Sequence, residues 1–119
     1  MRSEVRAVTR MYDFSLRLLP HIAGFSRQHR FTLGDRLESV ALEILELLVE
    51  ASYVRDKFDL LRRANLRLEC LRYLTRLAKD LHLLSVKQYE FAASALFAIG
   101  AEIGGWAKQQ RNQQGRAPA

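Results

Sequence analysis

The sequence predicts an all-α protein, an up-down-up-down antiparallel four-helix bundle. Apolar residues recur at spacings of three and four in four successive stretches, the mark of helices that each bury one face. Leu and Ala supply 34 of the 119 residues against 6 Gly and 2 Pro, too few turn-formers for a many-stranded β-fold. At 49% hydrophobic and 27% charged residues, the chain has the balance of a globular domain with a single core. The expected organisation is one bundle over residues 1–108, followed by a disordered basic polar tail over 109–119.

The first helix is expected from about Arg2 to Ser26, with Val5, Val8, Tyr12, Leu16, Leu19 and Ala23 along one face. Pro20 removes one backbone donor and crowds the carbonyl of Leu16, so it kinks or breaks that helix. Thr32 is expected to open the second helix, with Asp35 placed among the free N–H groups of its first turn. Leu37, Ala41, Ile44, Leu48 and Ala51 form its buried stripe, and Glu43, Glu46 and Glu50 line the opposite side. The formal charge from Phe31 to Val54 is −4.

Asp56 is expected to cap the third helix, with Asp59 in its first turn. Its core stripe is Leu61, Ala64, Leu68, Leu71, Leu74, Ala78 and Leu81. Arg62, Arg72, Arg76 and Lys79 share another face, with Arg63 and Arg67 at its flank, and the charge from Arg55 to Leu81 is +4. Ser85-Val86-Lys87-Gln88 reads as a capping box that starts the fourth helix. Tyr89, Ala92, Leu96, Ile99, Ile103 and Trp106 are its buried positions, and after Lys108 nothing is left to bury.

The net charge is +6, and 15 of the 19 cationic residues are Arg, whose fork fits phosphates and carboxylates. A polyanionic partner follows from that balance. Arg62, Arg63, Arg67, Arg72, Arg76 and Lys79 are the candidate binding residues, and the competing reading pairs them with the acidic second helix of the same molecule. Tyr73 is the only aromatic side chain interleaved with them, so nucleic-acid contact is expected to be backbone-directed and weakly sequence-specific. An acidic and a basic helix in one subunit also suit head-to-tail packing, which closes into a ring when the rotation permits.

Signals for catalysis, cofactors and metals are weak. No Glu is followed three residues later by His, the motif that bundle di-iron sites use. Cys70 reads as a small residue in a helix-packing position, and a lone cysteine fits a reducing cytoplasm. The glycines around Gly100 and Gly104 fall within a helix, where they allow another helix to approach closely. No apolar run reaches the roughly 18–20 residues needed to span a bilayer. Arg76 and His82 have the Arg-to-His spacing of HEPN ribonucleases, in which His82 would move a proton and Arg76 would stabilise phosphorane charge. Leu77 stands where that motif has a polar residue.

Several stretches together carry a resemblance. Tyr12-Asp13-Phe14 leads to Leu18-Leu19-Pro20, and Arg30-Phe31-Thr32-Leu33-Gly34-Asp35-Arg36 opens the second helix. Leu60-Leu61-Arg62-Arg63-Ala64-Asn65 runs on to Leu71-Arg72-Tyr73-Leu74-Thr75-Arg76-Leu77, and Ile99-Gly100 precedes Ile103-Gly104-Gly105-Trp106. This order resembles the accessory variability determinant (Avd) proteins of diversity-generating retroelements. They sit in a wider four-helix-bundle family that includes proteins encoded in 23S rRNA intervening sequences. The resemblance covers roughly Tyr12 to Lys108. It implies a homopentameric, positively charged barrel, without catalysis of its own, that binds a reverse transcriptase and nucleic acid, template RNA included, and supports error-prone cDNA synthesis. It carries Arg72 and Arg76 over as functional positions. The intervening-sequence type of bundle, of unclear role and with RNA as a candidate ligand, is the alternative reading, and the HEPN-like ribonuclease is the third.

Overall fold

The computed structural model describes residues 3–115, and side chains from residue 6 to residue 113. Four long helices make up the fold: α1 (Ser3–Ala23), α2 (Asp35–Tyr53), α3 (Phe58–Asp80) and α4 (Val86–Gly115), with no strand among the described residues. They pack as a square in which α1 touches α2 and α4, and α3 touches α2 and α4. Contacts between sequence-distant ends fix the directions. Arg6 near the start of α1 meets Glu102 late in α4, whereas His21 near the end of α1 meets Gln88 at the start of α4. Arg67 of α3 meets Glu43 of α2, and the connection over 54–57 is too short for anything but a reversal between those two helices. The neighbours are antiparallel and the rod measures 56 × 23 × 20 Å.

Met11, Leu37, Ile44, Leu48, Leu68, Leu71, Leu96, Ile99 and Trp106 are fully enclosed at the centre. The expected stripes of α2 and most of α3 and α4 hold, although Leu81 is exposed and Tyr89 only half-buried. The face expected for α1 does not hold. Ala7, Met11, Phe14, Leu18, Ile22 and Phe25 are buried, whereas Tyr12 and Leu16 face outward; the side chain of Val5 lies outside the described residues. α1 is apolar over more than one face, and packing against α2 and α4, not periodicity, selects which is buried.

α1 runs on through Pro20 to Ala23, three residues short of the expected end. Near the C-terminus of a helix a missing backbone donor costs only one ladder bond. The start of α2 also departs from expectation. A helical turn at Arg27–His29 leads directly into a π-turn at Arg30–Gly34, and α2 continues from there. Thr32 therefore lies inside a helical path and is no cap; its Oγ donates back to the carbonyls of Gln28 and His29 at 3.3 Å. The π-turn seats Gly34 against α1, where an added Cβ would lie 3.0 Å from Ile22 Cγ2.

Lys57, not Asp56, precedes α3, and Asp56 reaches the Phe58 N–H only at 3.4 Å. Lys57 Nζ instead donates to the carbonyls of Ala51 (2.6 Å) and Val54 (2.5 Å), closing the C-terminal end of α2 with a cation. The capping box of α4 is formed as expected: Gln88 N–H donates to Ser85 Oγ at 3.0 Å and Ser85 N–H to Gln88 Oε1 at 2.9 Å. α4 ends at Gly115 and not near Lys108. Each further residue adds one ladder bond and meets no Pro before position 118, so propagation needs no burial. The last tail residues, 116–119, lie outside the described residues.

Candidate nucleic-acid and partner interface on the third helix

Burial of Leu61, Ala64, Leu68, Leu71, Thr75 and Ala78 fixes the rotation of α3, and with it the directions of the six candidate cations. Thr75 joins that apolar face by donating its hydroxyl to the Leu71 carbonyl at 2.7 Å. At about 3.6 residues per turn, the cations fall into three sets. Arg63 and Arg67 lie on the flank toward α2, Arg72 and Lys79 on the flank toward α4, and Arg62 and Arg76 near the outward ridge. Arg62, Arg72, Arg76 and Lys79 thus lie within about 100° of one another around the helix, and Arg63 and Arg67 stand on the other side of the outward ridge.

The α2 flank is partly neutralised. Arg67 bridges to Glu43 at 3.5 Å, and Arg63 and Arg62 both reach Asp59, at 3.9 and 2.9 Å. These pairs are exposed, and such pairs contribute about 0–1 kcal/mol, so a phosphate or a partner carboxylate can displace them. One bridge to α2 among the described residues is far less than the full internal pairing that the competing reading required.

Arg72 is built into the α3–α4 seam. Its Nη1 lies 3.3 Å from a Glu69 oxygen, its Nη2 donates to the Leu96 carbonyl at a long 3.5 Å, and its enclosed Nε has no hydrogen-bond partner. Gly100 makes room for it: a Cβ there would lie 2.7 Å from Nη2. The small residue expected to admit another helix admits a guanidinium instead, while Gly104 faces open space. Lys79 stands 5.2 Å from the Tyr89 ring centroid and 3.7 Å from Asp80, so it too leans on its neighbours.

Arg76 makes no ion pair or hydrogen bond among the described residues. It borders a shallow cleft of about 240 Å³ with Arg72, Tyr73, Glu69 and Tyr89. Between the two cationic flanks runs an apolar ridge missed by the sequence reading: Leu66 (55% exposed), Cys70, Tyr73 (69% exposed) and Leu77. Cys70 is thus on the surface and not in a packing position. The signal for this ridge was present, since those residues repeat at four, three and four on the face opposite the core stripe.

His82 has a backbone role. With φ at 62° it takes the left-handed conformation that ends α3. Its N–H donates to the Lys79 carbonyl at 2.9 Å and the Leu83 N–H to the Ala78 carbonyl at 2.8 Å, the paired bonds of a Schellman motif. Its side chain is exposed and makes no hydrogen bond or ion pair among the described residues, Arg76 included. No group of three or more His, Cys, Asp or Glu placed to hold a metal ion occurs among the described residues. No helix among them is long and apolar enough to cross a membrane.

Compared with known families, the chain matches the model of the bAvd-like family over residues 6–110, a span that takes in nearly all of the four helices. No curated protein and no solved structure matches it.

Proposed function

The chain belongs to the bAvd-like family, and from that premise we propose that it is a non-enzymatic accessory subunit of a diversity-generating retroelement. It binds the element's reverse transcriptase and nucleic acid, the template RNA above all, and supports mutagenic cDNA synthesis in the cytoplasm. The family match over residues 6–110 is the observation that carries this reading. The outward side of α3 supports it: Tyr73 stands exposed and borders one cleft with Arg76, and Tyr and Arg dominate the energetics of protein interfaces. Arg62, Arg63, Arg67 and Arg76 engage phosphates or polymerase carboxylates through charge-assisted hydrogen bonds, and Arg72 and Lys79 hold the edge of that surface.

The subunit assembles into a homopentameric ring. Support comes from α2 and α3 carrying opposite net charge, and from a second exposed apolar surface on the other side of the molecule. There Tyr12, Leu16, Leu19, Leu42 and Leu45 line a groove of about 340 Å³ between α1 and α2. Two unlike apolar faces on one subunit suit a heterologous contact.

Co-expression with the reverse transcriptase and template tests the function. Arg62→Ala combined with Arg76→Ala should leave the helical circular dichroism unchanged and lower both polymerase co-purification and cDNA yield by about tenfold or more. Normal cDNA synthesis by the folded double variant would overturn the assignment.

A further inference from the structure

The seam between α1 and α4 carries cations along its length, and they differ in what neutralises them. Near the start of α1, the half-buried Glu102 takes both Arg6 at 3.0 Å and Arg10 at 3.7 Å. Two turns further on, Arg17 has no ion pair among the described residues, and its guanidinium sits 3.8 Å from the centroid of the Phe91 ring. That Arg17–Phe91 contact divides the seam into two cavities of similar size.

The cavity toward the start of α4 has a volume of about 300 Å³, at the small end for a ligand site. Its floor is apolar: Phe14, Leu18, Leu84 and Ala92 are all buried core residues. Its rim is cationic. Arg17 and Lys87 line it, neither has an ion pair among the described residues, and no Asp or Glu lines it. The neighbouring cavity of about 290 Å³ contains Asp13 and is the poorer place for an anion.

The polar groups at the rim are held in one arrangement. Gln88 Oε1 accepts from the Ser85 N–H in the capping box, which fixes the orientation of the amide. Its Nε2 is then the donor that faces His21 Nδ1 at 3.3 Å. A ring nitrogen that accepts leaves the proton of the neutral imidazole on Nε2, so His21 presents a donor and no acceptor beyond that contact. Donors and cations surround an apolar floor.

We propose that this cavity binds a small organic anion with an apolar body. The carboxylate sits between Arg17 and Lys87, and the body rests on Phe14, Leu18, Leu84 and Ala92. Arg17 gives up part of its contact with Phe91 for a charge-assisted hydrogen bond, an exchange that favours the carboxylate at a surface site. The site shares no lining residue with those assigned to the reverse transcriptase and RNA, and its occupancy does not depend on that assignment.

Sodium decanoate, decanol and decyltrimethylammonium are the probes, each titrated into the full chain and followed by amide chemical shifts and calorimetry. Decanoate should bind saturably below about 1 mM and move the amides of residues 14–19, 21 and 87–92, and the other two probes should not. Arg17→Gln with Lys87→Gln, both surface changes, should weaken decanoate by about tenfold or more with an unchanged melting temperature. No saturable decanoate binding, equal binding of decanol, or undiminished affinity in the folded double variant would each overturn the site.

Discussion

Arg72 and Arg76 stand one helical turn apart on α3, in the same short motif, and the regions around them differ. Arg72 lies in the α3–α4 seam, held by Glu69 and the Leu96 carbonyl over the space that Gly100 leaves open. Arg76 borders the outward ridge of Leu66, Tyr73 and Leu77 and has no ion-pair partner among the described residues. One arginine is tied to the fold and the other is available to a partner. Charge and motif position do not separate the two; the rotation of α3 against its core does.

Core substitutions separate the regions most strongly. Leu68→Ala, fully enclosed beneath the seam, should cost about 2–5 kcal/mol in urea unfolding, and Leu66→Ala on the ridge should stay within about 0.5 kcal/mol. Similar losses for both would mean that the ridge is packed in the isolated subunit. Next come the arginines themselves. Arg72→Ala should lower stability by about 1 kcal/mol through lost packing and hydrogen bonding, and Arg76→Ala by less than about 0.5 kcal/mol. The reverse order would exchange their roles.

The third contrast lies in binding. If Arg76 contacts one phosphate, Arg76→Ala should reduce the slope of log affinity for RNA against log salt by about 0.7–0.9. Arg72→Ala should change that slope by less than half as much, and equal changes would erase the distinction. The smallest effect sits at the end of α3. His82→Gly should raise stability by about 0.5–1 kcal/mol in thermal or urea unfolding, because glycine adopts a φ near 62° without the steric cost. Destabilisation would give the imidazole a role that its exposed position does not show.

Local chemistry was legible in the sequence at the start of α4, and less so at the start of α3, where Lys57 takes the place expected for Asp56. Ser85 and Gln88 form their capping box because both partners lie within one turn. The α2 stripe from Leu37 to Ala51 is buried as its period demands, since its other faces carry Glu43, Glu46 and Glu50. α1 offered two apolar faces, and only packing against α2 and α4 could choose Met11 and Phe14 over Tyr12 and Leu16. Thr32 had the chemistry of a cap, but the chain is already helical from Arg27, so no free N–H groups await it.

At the candidate interface, the cationic character of α3 and the offset of Arg63 and Arg67 were readable from composition and spacing, and what each cation touches was not. Arg67 turns toward Glu43 and Arg72 toward Leu96 because of which helices lie on either side, a tertiary fact. The match between Arg72 and Gly100 joins residues 28 positions apart and has no local signature. The ridge through Leu66, Cys70, Tyr73 and Leu77 does have one: it is a second apolar stripe on a helix whose core face was already assigned.

The proposed role as an assembling, RNA-binding subunit is tested most directly by light-scattering mass across a salt series, with and without RNA of template length. The account predicts about five subunit masses without RNA at every salt concentration, and the added mass of bound RNA at low salt that is lost at high salt. For about six phosphate contacts, log affinity should fall with log salt at a slope of roughly −4 to −5. A monomer or dimer indifferent to RNA at every salt concentration would contradict it.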